Sequence, residues 1–139
     1  MIRRQDLGDG VRAIIWDNPA SSVNTNGQAA DAAFLAEVEA ALADTSIRGV
    51  VVASAKADFI AGGDLKEISK AKTPAEAVAL VRPIKAASRR METGGKLFVA
   101  AINGSATSGM PASRITVRMF SASASAMRLR LAAFVSRGL

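Results

Sequence analysis

The chain has 139 residues, half of them hydrophobic, which is enough for one globular domain with its own core. It contains no cysteine and no histidine, which excludes disulfides, thiolate nucleophiles, Ser-His-Asp triads and Cys- or His-ligated metals, so no metal site is predicted. The net charge is +6, yet all 12 acidic residues lie in residues 1–106. Residues 107–139 contain arginine but no acid, and we treat them as a divergent basic tail with little to specify an ordered fold.

The first residues predict a β-hairpin. Residues 2–7 and 11–16 favour strands, and the sequence Gly-Asp-Gly between them is an Asp-Gly turn. Residues 17–24 are rich in Asn, Pro and Ser and predict a loop. No segment resembles a signal peptide and no apolar run is long enough to span a bilayer, so we expect a cytoplasmic protein.

Residues 28–42 predict an amphipathic helix. Apolar side chains recur every four residues beside Leu35, at Phe34, Val38 and Leu42. Acidic side chains are expected away from this stripe, at Asp31, Glu37 and Glu39. The helix therefore has one face for the core and one face for solvent.

A short β-branched run, residues 47–54, predicts a strand buried on both faces of a parallel sheet. Because a helix separates it from the strand at 11–16, the three elements indicate a βαβ unit. The glycines of residues 61–63 then break the pattern. Residues 64–68 begin a short helix with acidic residues near its N-terminus.

Residues 73–76 form a capping box with proline at the first helical position, which predicts a longer helix running towards Met91. Pro83 lies inside this segment. We expect it to kink or restart the helix, because it cannot donate to the carbonyl four residues earlier.

Two glycines at residues 94–95 end that helix, and the apolar run 97–102 predicts a third buried strand. Up to Ala106 the alternation of strands and helices is therefore that of an α/β fold. Beyond Ala106 the sequence patterns no longer indicate one consistent fold. Residues 121–126 have low complexity, and residues 127–131 have a strand-like period.

Two stretches carry a resemblance to a known family. Residues 58–67 read Asp-Phe-Ile-Ala-Gly-Gly-Asp-Leu-Lys-Glu, which is similar to the crotonase signature of Phe, a small residue, Ala, Gly, Gly or Ala, Asp and then Leu or Ile. Residues 96–106 look like the strand and Asn-Gly turn that lead into the family's second oxyanion element. In this order and spacing they resemble the N-terminal part of the enoyl-CoA hydratase/isomerase (crotonase) superfamily, closest to the hydratase domain of bifunctional fatty-acid β-oxidation proteins.

The resemblance implies a crotonase-like ββα spiral, truncated to its first turns. It also implies binding of acyl-CoA thioesters and stabilisation of their enolate by two backbone N–H groups, those of Ala61 and Gly109. Ala61 fits this role because neighbouring glycines allow a ligand close to the backbone and a helix N-terminus follows. The residues expected to border the CoA are Ser21, Ser22, Val23, Ala61, Gly62, Gly63, Asp64 and Leu65.

The implied activity is hydration of enoyl-CoA in fatty-acid β-oxidation. Coenzyme A would be part of the substrate, so no separate cofactor is expected, and the family implies a homo-oligomer, a trimer or hexamer. The chain departs from the family pattern after Ala106, where Ala112 occupies the place of the first catalytic glutamate and no acid follows Glu92. Carboxylates of this kind contribute roughly a hundredfold or more to hydration. The abrupt change in composition suggests a truncated or frame-shifted hydratase domain.

Other interpretations stay open. The chain is alternatively a catalytically dead CoA-binding fragment, or a basic interaction module acting through the tail. A tail without interleaved aromatics or a recognised motif favours neither nucleic acid nor membrane as a partner. Residues 61–65 have the plain alternative of a glycine turn before a helix. Asp64 and Glu67 are expected to complement the helix dipole and not to act as an acid/base pair.

Overall fold

The computed structural model describes residues 1–106 and the strand at residues 115–119. A five-stranded mixed sheet has the strand order β1-β2-β3-β4-β5, with β1 antiparallel to β2 and all later neighbours parallel. The strands are β1 (Ile2–Gly8), β2 (Val11–Trp16), β3 (Gly49–Ser54), β4 (Leu97–Ile102) and β5 (Ile115–Met119). The helices are α1 (Gln28–Ala43), α2 (Leu65–Ile68) and α3 (Pro74–Thr93).

The N-terminal hairpin and the βαβ unit are confirmed. The hairpin turns through Gly8, Asp9 and Gly10, all with positive φ, which glycine adopts at little steric cost. The chain then crosses through α1 from β2 to the parallel strand β3, whose six residues are all buried. This burial on both faces explains the continuous β-branched run.

The two faces of the sheet bury different side chains. One row runs from Ile14 through Val52 to Ala100 across three strands, and it packs into the cluster that contains Phe34, Val38 and Met91 of the helices. The rings of Trp16 and Phe34 lie 5.3 Å apart between their centroids. The opposite face holds a second buried cluster, made of Val11, Val51, Ala53, Val99 and Ala101.

Helix α3 begins at the predicted capping box, where the Thr73 hydroxyl accepts from the Glu76 amide and the Glu76 carboxylate accepts from the Thr73 amide. Of the two expected effects of Pro83, a restart of the helix is wrong, because one helix contains it, and a kink stays a prediction. The surrounding turns are largely exposed, so water can reach the carbonyl that proline leaves without a donor. Strand β5 was not predicted, and the backbone pairs it with β4.

Three segments follow the carboxyl ends of the neighbouring parallel strands. We name them the β2–α1 loop (residues 17–27), the β3–α2 loop (residues 55–64) and the β4 turn (residues 103–106). Because β2, β3 and β4 are parallel neighbours, these segments emerge at one edge of the sheet. In open α/β sheets, ligands bind at this edge.

Candidate functional site

A cleft of about 720 Å³ opens between the β2–α1 loop and the β3–α2 loop. It includes six of the predicted CoA-bordering residues, namely Ser21, Ala61, Gly62, Gly63, Asp64 and Leu65. Ser22 and Val23 are not part of its lining, and Gly109 lies outside the described residues. The sequence interpretation missed four lining residues, which are Asn18, Ala20, Thr25 and Lys66. All four lie within three residues of a predicted one, which was the available signal.

Backbone hydrogen bonds join the two loops that form the cleft. The Asn26 amide donates to the Gly62 carbonyl at 2.7 Å, and the Asp64 amide donates to the Asn26 carbonyl at 2.6 Å. These two bonds pair Asn26 with Gly63 in a parallel bridge. The wall of the cleft is therefore a short piece of β-ladder and not an independent loop.

The Ala61 amide belongs to this ladder. It donates to the Asn24 carbonyl oxygen at 2.8 Å, so its hydrogen already has an acceptor. This geometry does not support the prediction that Ala61 presents a free N–H group to a ligand. The role of Ala61 as an oxyanion donor stays a prediction, and the next amides along the loop belong to Gly62 and Gly63.

The Gly63 amide, in contrast to that of Ala61, is free to donate to a ligand. In a parallel bridge one residue makes both bonds, here Asn26, and they go to the two neighbours of the other residue, here Gly63, whose own N–H points away from the partner. The Gly63 amide is thus directed away from Asn26, and it has no acceptor among the described residues. Gly62, with φ 102°, lies in the left-handed region and turns the chain at this point.

The acidic residues after Gly63 have structural partners. The Asp64 carboxylate caps α2 by accepting from the amides of Lys66 and Glu67. The Glu67 carboxylate reaches α1 and accepts from the Gln28 amide at 2.7 Å. Glu67 therefore supplies the cap that α1 lacks, since its N-cap residue is Gly27.

Asp31 lies on the core side of α1, contrary to the expectation that it faces away from the apolar stripe. It precedes Phe34 by three residues, which places both on one helix face, and it is only 2% exposed. Burial, and next the negative charge of Glu67, raise the pKa of the Asp31 carboxyl to about 6. Its Oδ1 atom has no hydrogen-bond partner among the described residues.

The β4 turn is held against the β3–α2 loop. The Asn103 side chain donates to the Lys56 carbonyl at 2.7 Å, the Ser105 amide donates to the Asp58 carboxylate at 2.9 Å, and the Phe59 amide donates to the Ser105 carbonyl. A Cβ atom on Gly104 would lie 2.7 Å from the Ala57 carbonyl oxygen, so this position requires glycine. The turn that leads towards Gly109 thus lies beside the loop that holds Gly63.

Neither a metal site nor a membrane span is found in the part of the chain that the structure describes. Among residues 1–106 and 115–119, no three Asp or Glu side chains are grouped so that they could hold a metal ion. No helix in these ranges has the length and apolar character needed to cross a bilayer.

Comparison with known proteins extends these observations. A family model described as enoyl-CoA hydratase/isomerase matches residues 7–111. The fatty acid oxidation complex subunit alpha of Acinetobacter baumannii (strain AYE) is 34% identical over 107 residues, a match that covers 76% of this chain. The chain spans about 15% of the length of that curated relative.

Solved structures share the arrangement of strands and helices. An enoyl-CoA hydratase from Bacillus halodurans superposes with a TM-score of 0.67 at 20% identity, over 74% of this chain and 42% of that chain. A protein described as enoyl CoA hydratase/isomerase (crotonase) from Legionella pneumophila gives a TM-score of 0.66 at 19% identity, over 74% and 40% of the two chains. At such identities the likeness concerns the fold alone.

Proposed function

Because the chain belongs to the enoyl-CoA hydratase/isomerase family and has the crotonase-like fold, we propose that it binds acyl-CoA thioesters in the cleft and polarises their carbonyl oxygen with backbone amides. The relative named above is a fatty acid oxidation protein, and we propose a hydratase-like role in the same process. The CoA moiety enters as part of the substrate, so the proposal includes no separate cofactor.

The observation that carries the proposal is the Gly63 amide. It lies in the wall of the cleft, it is directed away from its ladder partner, and it lacks an acceptor among the described residues. A donor fixed before the ligand arrives stabilises a developing oxyanion without a cost of reorganisation. We therefore propose Gly63, in place of Ala61, as the first donor, and keep Gly109 as the proposed second donor.

Three other side chains in the lining of the cleft suit the rest of the ligand. Lys66 brings a positive charge to the lining, and Ser21 and Thr25 bring hydroxyl groups. A lysine ammonium is a strong partner for phosphate oxygens. We propose that these side chains contact the phosphate-bearing part of CoA.

A second candidate is CoA binding without turnover, and the distribution of acids favours it. Asp64 is the one acid in the lining of the described cleft, and its carboxylate already accepts from two backbone amides. The sequence has no acid after Glu92. Hydration requires a group that activates water and delivers a proton, and the lining formed by the described residues offers no uncommitted carboxylate for this step.

Two substitutions at one position test the amide donor. Gly63→Pro removes the N–H group, whereas Gly63→Ala keeps it and adds only a Cβ atom. That Cβ atom would meet the flexible end of the exposed Ile68 side chain, which can move aside. We expect crotonyl-CoA carrying a ¹³C-labelled thioester carbonyl to show a lowered carbonyl stretching frequency on the wild-type chain and on Gly63→Ala, and no such shift on Gly63→Pro.

The hydration rate of the same substrate separates the two candidates. Turnover by the wild-type chain above that of Gly63→Pro supports a hydratase, and a shifted carbonyl without turnover supports CoA binding alone. A wild-type chain that binds no thioester, or an equal shift on Gly63→Pro, contradicts the proposed site.

A further inference from the structure

Asn24 joins four segments around the cleft through one buried residue. Its side-chain amide donates to the Trp16 carbonyl at 3.0 Å and to the Ser54 hydroxyl at 2.9 Å. Its side-chain oxygen accepts from the Asn18 amide at 2.9 Å. With 1% exposure, the residue is anchored to the ends of β2 and β3 and to the start of the β2–α1 loop.

The backbone of Asn24 makes the fourth connection. Its carbonyl oxygen accepts from the Ala61 amide, the first bond between the two loops of the cleft. Because three side-chain bonds fix the residue in place, they also fix the direction of this carbonyl. With Ala61 bonded to Asn24 and Asp64 bonded to Asn26, the amides of Gly62 and Gly63 between them have no acceptor among the described residues.

We propose that Asn24 is a positioning residue that determines which amide of the β3–α2 loop serves as the donor to a thioester oxygen. By holding the Ala61 amide, Asn24 keeps the loop in the register in which Asn26 pairs with Gly63 and the Gly63 amide points away from the ladder. This inference rests on the proposed function for the identity of the ligand, but the register itself is testable without ligand.

The chemistry of the surrounding groups selects asparagine. The Trp16 carbonyl can only accept, and the Ser54 hydroxyl already donates to the Asp58 carbonyl at 2.6 Å, so each of them can only accept from residue 24. A carboxylate has nearly the same shape but no donor. Asn24→Asp therefore turns two attractive contacts into repulsive ones with almost no change in volume.

The first experiment measures amide hydrogen exchange in the ligand-free full chain. We expect slow exchange at Ala61 and faster exchange at Gly63 in the wild type. Asn24→Asp and Asn24→Ala should accelerate exchange at Ala61 by about tenfold or more relative to amides of β3. The control is Val38→Ala, a cavity substitution in the helical core away from the cleft, which should change Ala61 and β3 together.

The second experiment measures the carbonyl shift of bound ¹³C-labelled crotonyl-CoA under conditions where every variant is folded. The shift should fall in both Asn24 variants and persist in Val38→Ala. Lowering the pH protonates the new carboxyl of Asn24→Asp and returns one donor, so part of the shift should recover there and not in Asn24→Ala.

The two experiments distinguish a failure of the proposal for Asn24 from a failure of the proposed function. If Ala61 exchange and the carbonyl shift in Asn24→Asp match those of the wild type, Asn24 does not position the loop. If the wild-type chain shows no carbonyl shift while Asn24→Asp still accelerates exchange at Ala61, the register stands and the proposed function fails.

Discussion

The polar groups at the two ends of helix α1 differ in how completely they are hydrogen-bonded. At the end beside the cleft, Gly27 provides no side-chain cap, and a carboxylate from α2 accepts from the Gln28 amide in its place. One turn later Asp31 is buried with an oxygen that lacks a partner among the described residues. This end combines two carboxylates in a small space, and their repulsion helps to raise the pKa of Asp31.

At the far end of α1, the polar groups have hydrogen-bond partners. The Lys96 ammonium donates to the carbonyls of Ala41 at 2.8 Å and Asp44 at 2.6 Å, groups that have no donor within the helix itself. The Asp44 carboxylate accepts from Arg12 and from Ser46. The difference indicates that stability is concentrated away from the cleft, while unfavourable burial of charge is tolerated beside it, as at many functional sites.

Removing the Lys96 ammonium should have the largest effect on stability. Lys96→Met keeps the aliphatic stem and deletes two charge-assisted hydrogen bonds, so we expect a loss of about 2 to 3 kcal/mol in the free energy of unfolding, measured in urea. The control Lys85→Met removes the same charge from an exposed position of α3 and should change little. Equal losses in the two variants would contradict the role of Lys96 at the helix end.

Neutralising Asp31 should stabilise the chain, with a defined pH dependence. Its folded pKa of about 6 exceeds the ordinary 3.8, so the folded state holds a proton that the unfolded state releases between these values, and wild-type stability falls as the pH rises through this window. We expect Asp31→Asn to gain about 2 kcal/mol above pH 7 and nothing below pH 4.

Glu39 is the matched control on the same helix, and its pH dependence has the opposite sign. A hydrogen bond from Arg90 lowers the pKa of Glu39, so the stability that it contributes is present at neutral pH and is lost as the pH falls. Glu39→Gln should therefore lose a little stability at pH 7 and none at low pH. A gain for Asp31→Asn that is the same at pH 4 and pH 7 would rule out charge burial as its cause.

Glu67 should give the smallest effects, and two substitutions separate its roles. Glu67→Ala removes the acceptor for the Gln28 amide and should cost about 1 kcal/mol, the usual value of a helix cap. Glu67→Gln keeps an acceptor but removes the charge, so the pKa of Asp31 should fall with little loss of stability. A carboxyl titration of Asp31 by NMR measures this pKa, and an unchanged value in Glu67→Gln would contradict the coupling.

The regular elements of residues 1–106 were predictable because their signals are local. The Asp-Gly turn, the capping box at Thr73 and the β-branched run of β3 each specify their element within a few residues. The signature around residues 58–67 predicted the family and the crotonase-like fold, and both are confirmed. Whether residues 107–139 form a separate tail stays a prediction, since most of them lie outside the described residues.

The features that the sequence did not reveal depend on distant partners. The acceptor for the Ala61 amide lies 37 residues earlier in the chain, at Asn24, so the composition of the glycine loop gave no sign of it. The Glu67 cap on α1 is equally remote in sequence. Asp31 was expected at the surface because charge usually is, and only the packing of α1 against the sheet shows that its helix face is buried.

Hydrogen bonds connect the segments that follow β2, β3 and β4, and this has a thermodynamic consequence for any ligand. The β3–α2 loop is hydrogen-bonded to Asn24 on one side and to Ser105 on the other. The three segments therefore form a single ordered rim of the cleft before anything binds. Ordering a loose loop would consume part of the binding free energy, since each immobilised residue loses conformational entropy. A rim that is already ordered avoids most of that entropy loss, so weak polar contacts contribute more fully to affinity.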